Sequence, residues 1–308
     1  VVDIFLQTLP FFAIIGVGFA AAKIGMFPPE ATAYLTKFVF YFALSSMLFS
    51  FSAGQKLSTI LNWDIVLAYL SGSVVVYVLA TVVAMVRRVG VAEGAIEAQC
   101  SIIGNVGFLG IPLLALLLGP EALGPVLLVL SVDLLVFSSL IVILITGSQQ
   151  GRVSLGIFST ILKGLIRNPM IVAIALGFIW SGLSLPIPTP FQSFLDLLGG
   201  AATPGALFAI GASLAPKSSE RLAIAGWLSF AKLFLHPVAV AVAAFWIFDL
   251  SPYNAGVIIA ASALPVAGNV YMLAQHYGVA PQRASGSILI STALSIVTVS
   301  VVIAWVST

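Results

Sequence analysis

The chain has 308 residues, of which 61% are hydrophobic and only 7% charged, with a net charge of +2. A soluble domain carries about 25% charged residues, so this chain lacks the polar surface that would hold it in water. The small net charge argues against nucleic acid as a partner, and the single cysteine, Cys100, excludes an internal disulfide and a thiolate metal cluster.

Apolar runs of about 20 residues, each long enough to cross a bilayer as a helix, recur along the whole chain. Polar, Pro and Gly punctuation divides them into predicted spans over 4–22, 34–52, 65–86, 95–118 and 123–146. The segment 153–166, with Arg152 and Lys163, is expected to be a short amphipathic helix at the membrane surface. The second set covers 168–185, 191–214, 222–247, 253–275 and 282–306. The first run starts at Val2 with no basic leader and no small-residue cleavage site after it. It is expected to be a membrane helix and not a signal peptide. The loops are too short for a soluble domain, so residues 1–308 are expected to form one all-α integral membrane domain embedded in the lipid bilayer.

Charge placement orients this ten-span scheme. Lys23, Lys37, Arg87, Arg88, Arg152, Lys163, Arg167, Lys217, Arg221 and Arg283 fall on one side, Lys56 falls on the other, and Lys232 lies inside the eighth span. Basic residues in short loops mark the cytoplasmic side, which puts both termini outside the cytoplasm.

The two halves, 1–150 and 151–308, resemble each other weakly. Pro10, Gly18 and Phe19 recur as Pro169, Gly177 and Phe178 at one constant offset. Gly104-Asn105-Val106 in the fourth span recurs as Gly268-Asn269-Val270 in the ninth. Five spans per half is an odd number, so the halves insert in opposite orientations. Such an inverted repeat supplies the two equivalent states that alternating access needs.

Helix breakers accompany both copies. The fourth span holds Gly104, Gly107, Gly110 and Pro112, which are expected to break it near mid-depth, and the ninth holds Pro265 and Gly268. Proline in a helix leaves a carbonyl without its donor, and hydrocarbon supplies no substitute. If the broken spans cross, two half-helix N-termini meet at the midplane and offer N–H groups and dipoles to a carboxylate. Asn105 and Asn269 add side-chain donors, so Asn105, Asn269, Gly104, Pro265 and Gly268 form the candidate binding site. Against this stands the general frequency of Gly and Pro in membrane helices and of Asn in helix-to-helix hydrogen bonds. The matched pair favours a site.

Asn105-Val-Gly-Phe-Leu-Gly-Ile-Pro-Leu-Leu, Arg167-Asn168-Pro169, Ala202-Thr203-Pro204, Gly211-Ala212-Ser213-Leu214 and Leu264-Pro265 resemble the auxin efflux carrier family along the whole chain. That family includes plant auxin exporters and bacterial permeases linked to malate and malonate. The resemblance implies ten helices in a 5+5 inverted repeat with crossing helices 4 and 9, a crossover fold like that of sodium/bile-acid symporters. It also implies elevator motion, a homodimer, a scaffold of helices 1, 2, 6 and 7, and a transport domain of helices 3–5 and 8–10. Asn105 matches the crossover asparagine of the plant proteins and Pro265 their second crossover proline. Gly104 stands where they have proline, and Asn269 where they tend to have an apolar residue. The long hydrophilic loop of many plant members is missing, which points away from auxin itself and toward a bacterial inner membrane.

Two charges lie deep. Asp133 and Lys232 are each about ten residues into a span, roughly 15 Å from its end at 1.5 Å per residue. A charge at that depth marks a functional suspect. Three readings stand open: a structural Asp133–Lys232 ion pair, a proton or sodium site at Asp133, or Lys232 as a fixed cation that draws an anion. Glu97 is expected to be an interfacial carboxylate, and His236, one turn beyond Lys232 and beside Pro237, a hydrogen-bonded packing group. His276 and Asp196 are expected at the surfaces, with Trp180, Trp227 and Trp246 as interfacial anchors.

No phosphate loop, zinc motif or catalytic triad spacing is present in the sequence, and Asp133 is the one deep carboxylate, which argues against an enzyme and against a bound cofactor or metal. The expected function is secondary transport of a small organic anion, a carboxylate such as a dicarboxylate or an auxin-like acid. A sodium- or proton-coupled symporter of broader range is the alternative, and a non-transporting membrane receptor a further one.

Overall fold

The computed structural model describes residues 2–55, 61–150, 156–215 and 222–306. Lys56, Arg152, Lys217 and Arg221, used above to orient the chain, lie outside these residues, as does the start of the expected surface helix. Among the described residues the chain is helical with no strand. In order the helices are α1 (Val2–Lys23), α2 (Pro29–Ala53), α3 (Trp63–Val86), α4 (Val91–Ile102) and α5 (Val106–Leu118). Then come α6 (Pro120–Gln149), α7 (Gly156–Arg167), α8 (Pro169–Gly182) and α9 (Thr189–Leu214), which turns at Ala201. The last are α10 (Leu222–Ile247), α11 (Pro252–Ser262), α12 (Gly268–Tyr277) and α13 (Pro281–Val306).

Six of these helices, α2, α3, α6, α9, α10 and α13, are long and apolar enough to cross a membrane. Shorter apolar helices cover Leu9–Lys23, Val106–Leu118 and Pro169–Gly182. The expected fourth and ninth spans are each two half-helices, α4 with α5 and α11 with α12.

Helix starts follow local chemistry. The Asn62 side chain accepts from the Asp64 and Ile65 amides to begin α3, and Asn168 accepts from Met170 to begin α8. Ser251 does the same for Asn254 at α11. Pro169 and Pro252 fill first-turn positions, where the missing N–H has no helical partner to lose.

Contacts between helix ends sort the elements onto two faces. At one face Arg283 at the start of α13 and Arg87 beyond α3 both bond Glu97 of α4, and Gln149 of α6 donates to the Tyr277 carbonyl at the end of α12. At the other, Tyr253 of α11 donates to the Leu118 carbonyl of α5, and Gln192 of α9 donates to Ser50 of α2.

Small residues let pairs of helices touch backbone to backbone. A methyl group at Gly18 of α1 would strike the Phe208 carbonyl of α9, and one at Gly211 of α9 would strike the Ile15 carbonyl of α1. Gly177 of α8 meets α2 at Phe49, Ser52 and Ala53 in the same way, and Gly72 of α3 meets α10 at Val240. Without a hydrophobic drive between helices in lipid, such close approach is what holds membrane helices together.

Candidate functional site

The two interruptions meet. Ile103 leaves α4 in an extended conformation (φ −76°, ψ 109°), and Gly104 pairs with Val266 in an isolated antiparallel bridge. The Asn105 amide donates to the Pro265 carbonyl at 2.8 Å, and the Ala267 amide donates to the Ile103 carbonyl at 3.0 Å. The Val266 amide donates to Ser291 Oγ of α13 at 3.0 Å. Each break therefore supplies the polar partners that the other lost, which lets unwound backbone sit among buried apolar side chains.

α5 and α12 start at this crossing, so the amides of their first turns flank it, those of Val106 and Val270 already bonded to the Gly104 and Ala267 carbonyls. Asn105 lies directly before α5 and is 6% exposed, and among the described residues its side chain has no hydrogen-bond partner. Gly268 and Asn269 open α12 and are exposed, with nothing within 4 Å of where a Gly268 side chain would begin. On the α5 side, Met170 of α8 covers Gly107, its Cε 2.9 Å from a methyl placed there, and Phe108 stacks on Phe40 of α2 with ring centroids 6.3 Å apart. The crossing is thus covered at Asn105 and open at Asn269.

Gly110 and Pro112 are corrected in place. They sit within α5, beyond the break at 103–105. The helix accommodates them through a widened turn over Val106–Gly110, after which Pro112 occupies the first regular turn, where a proline is tolerated. Pro265 does lie in its break.

Behind the crossing is a buried polar cluster. Lys232 donates to the Ser262 carbonyl, the last of α11, and its Nζ lies 3.3 Å from a methyl placed at Gly104. The ammonium also lies 3.3 Å from His236 Nδ1, and His236 Nε2 shares a 2.9 Å hydrogen bond with Ser73 Oγ of α3. An ammonium has no acceptor, so where Lys232 donates to Nδ1 the ring proton belongs on Nε2, toward Ser73. Asp133 Oδ1 accepts from Tyr69 at 2.9 Å, and the Tyr69 ring lies edge-on to His236 at 5.6 Å. The direct Asp133–Lys232 ion pair does not form, because Lys232 is drawn to the end of α11 and Asp133 to the Tyr69 hydroxyl. A positive charge at a helix C-terminus meets the negative end of its dipole, which explains that choice.

The expected role of His236 as a hydrogen-bonded group beside the Pro237 kink agrees with these contacts. Sequence reasoning missed Tyr69 and Ser73, ordinary polar residues of a membrane helix until the fold brings α3 against α10. It also placed Glu97 at the interface without partners. In the structure Glu97 is buried between Arg87 (2.8 Å) and Arg283 (2.7 Å), and Arg283 also reaches Glu93 at 2.9 Å. The one signal available was the Glu93/Glu97 spacing, which puts both carboxylates on one helix face.

A family model described as membrane transport protein matches residues 3–303. A protein of Rhizobium meliloti (strain 1021) named "Putative malonate transporter" is 32% identical over 299 residues, covering 95% of this chain and 92% of that protein. The match spans both half-helix pairs and the cluster behind them. The chain belongs to the membrane transport protein family of auxin efflux carrier-type proteins, and is a multi-pass membrane transporter and not an enzyme.

Proposed function

We propose that the protein is a secondary transporter of a small organic anion, a mono- or dicarboxylate, that works by elevator-type alternating access. The observation that carries this reading is the crossing at Gly104 and Val266, with two half-helix N-termini and Asn105 and Asn269 around it. Helix N-termini in a site sheltered from water bind carboxylates through free N–H groups and dipoles. The name of the Rhizobium meliloti relative makes malonate the first substrate to try.

The helix pairings support a 5+5 inverted repeat. Exchanging the two halves turns the α1–α9 contact into the α8–α2 contact and returns the α3–α10 contact and the crossing to themselves. The same pairings support a scaffold of α1, α2, α8 and α9 and a transport domain of the remaining spans, which slides against it. Phe40 against Phe108 and the small apolar cavity of about 80 Å³ between Met47, Leu48, Pro112 and Leu127 lie along that boundary. A homodimer built on the scaffold, in a bacterial inner membrane with both termini outside the cytoplasm, completes the reading.

A second reading keeps the fold and couples the anion to sodium or a proton. The buried Asp133–Tyr69 contact favours it.

Ligand-dependent melting of the purified protein tests the proposal. A ligand that binds only the folded state raises the melting temperature by mass action. Malonate, malate or an aromatic acid is expected to do so. If no organic anion does, the anion site is wrong.

A further inference from the structure

Among the described residues, the Asp133 carboxylate in the cluster behind the crossing has one oxygen without a partner. Asp133 is 3% exposed, and while Oδ1 accepts from Tyr69, Oδ2 has no partner. Buried polar atoms are nearly always paired, and a bare carboxylate oxygen away from water is among the costliest exceptions. The other acceptors of the cluster are taken. His236 has Ser73 on one nitrogen and Lys232 on the other, and the Ser262 carbonyl holds the lysine ammonium. The ammonium stands at the end of α11, where helix carbonyls would otherwise attract a free cation. Among the described residues, Oδ2 is the one carboxylate oxygen of the cluster left without a partner. A hard metal ion takes a shell of about six or more, whereas a proton needs one.

The remaining titratable groups on the elements packed around α6 do not compete for that place. They are Asp64, Tyr69 and Tyr77 on α3, Glu93, Glu97 and Cys100 on α4, Tyr253 on α11, and Lys163 and Arg167 on α7, with Lys232 and His236 of α10 in the cluster itself. Asp64 is exposed at the start of α3, and Glu93 is bonded to Arg283. Glu97 is engaged by two arginines, and Tyr253 by Leu118. Lys163 and Arg167 are exposed.

We infer that Asp133 Oδ2 is a proton-binding site, and that the proton it takes up leaves the Lys232 charge free to balance a substrate carboxylate at the crossing. The inference rests on the anion reading above. In the step, a proton from water joins Oδ2 and converts the carboxylate to a carboxylic acid, Oδ1 keeps the Tyr69 bond, and no other bond changes. With the site empty, Asp133 and Lys232 cancel. With the proton and a monocarboxylate bound, the lysine and the substrate cancel, whereas a dicarboxylate leaves one negative charge with the proton and two without it. Either anion therefore carries less uncompensated charge into the bilayer with the proton than without it, so anion binding draws the proton in.

Infrared difference spectra of the purified protein, taken over a pH series in potassium and again in sodium, test the site without any transport. The expected result is a protonated-carboxyl band that disappears on alkalinisation, is unchanged by sodium, and is lost in Asp133→Asn. Tyr69→Phe guards against a misfolded Asp133→Asn, and is expected to move the band to higher frequency as Oδ1 loses its donor. Malonate added to weakly buffered wild-type protein is expected to draw protons from solution, and to draw none with Asp133→Asn. Absence of the band in folded wild-type protein, a band indifferent to both variants, or a band displaced by sodium would overturn the proton site. Anions that raise the melting temperature without proton uptake would overturn the coupling. Failure of every anion to raise the melting temperature, with the band present, would overturn the anion reading and the coupling together, leaving the proton site standing.

Discussion

Lys232 places its ammonium on the carbonyl of Ser262, and so closes the end of α11 from α10, the helix before it. A helix cut in mid-membrane leaves several carbonyls without donors, and water is not there to replace them. The lysine is buried for that bond.

Lys232→Met should therefore lower stability. An unsatisfied buried acceptor costs about 1–3 kcal/mol, and Asp133 also loses its neighbouring cation. Thermal or denaturant unfolding in detergent measures the change. Unaltered stability would mean that the Ser262 carbonyl finds another donor.

Asn105→Ala should remove most ligand binding and leave a folded, monodisperse protein. Hydrogen bonds to charged groups contribute about 1.5–3 kcal/mol, which corresponds to tenfold or more in affinity. The readout is the malonate-induced shift in melting temperature beside a size-exclusion profile. A shift as large as that of wild type would take Asn105 out of the site. Asn269→Ala, on the open side, is expected to weaken binding less.

Gly211→Leu should destabilise the α1–α9 contact, because even the first carbon would run into the Ile15 carbonyl. Overpacking costs about 1–3 kcal/mol, and backbone on both sides has little room to move. Gly16→Ala on the same helix pair meets nothing within 4 Å and should be neutral or stabilising by about 0.5–1 kcal/mol. Melting temperatures of the two variants decide the matter together, and equal effects would refute the close-packing account.

Glu97→Gln should loosen the face where α3, α4 and α13 meet. Removing one partner of a buried pair costs roughly 3–5 kcal/mol, and the lower end applies because Arg87 and Arg283 retain some exposure. Faster amide exchange in α4 would register it. Exchange as slow as in wild type would show that apolar packing alone fixes α4.

Much of this was legible in the sequence because hydropathy and helix breakers act locally. The apolar runs located the helices, and Gly104-Asn105 and Pro265 marked the two breaks. Gly110 and Pro112 misled because a proline next to a widened turn costs the helix little, and only backbone geometry distinguishes that from a break. The Asp133–Lys232 ion pair, one of three readings the sequence left open, does not form for another reason. Depth along a helix says which groups share a layer, whereas the partner each finds depends on helix ends and neighbours, here Ser262 and Tyr69, that sequence spacing does not reveal.

The bonds between residues 103–105 and 265–267 join the two halves of the chain by their unfinished parts. During synthesis the first half of the chain emerges with one break already made and its partners still unborn. That half must wait in the membrane, incomplete, until the ribosome has passed residue 267. A truncation before that point would leave the Asn105 amide and the Ile103 carbonyl without the partners that residues 265 and 267 give them.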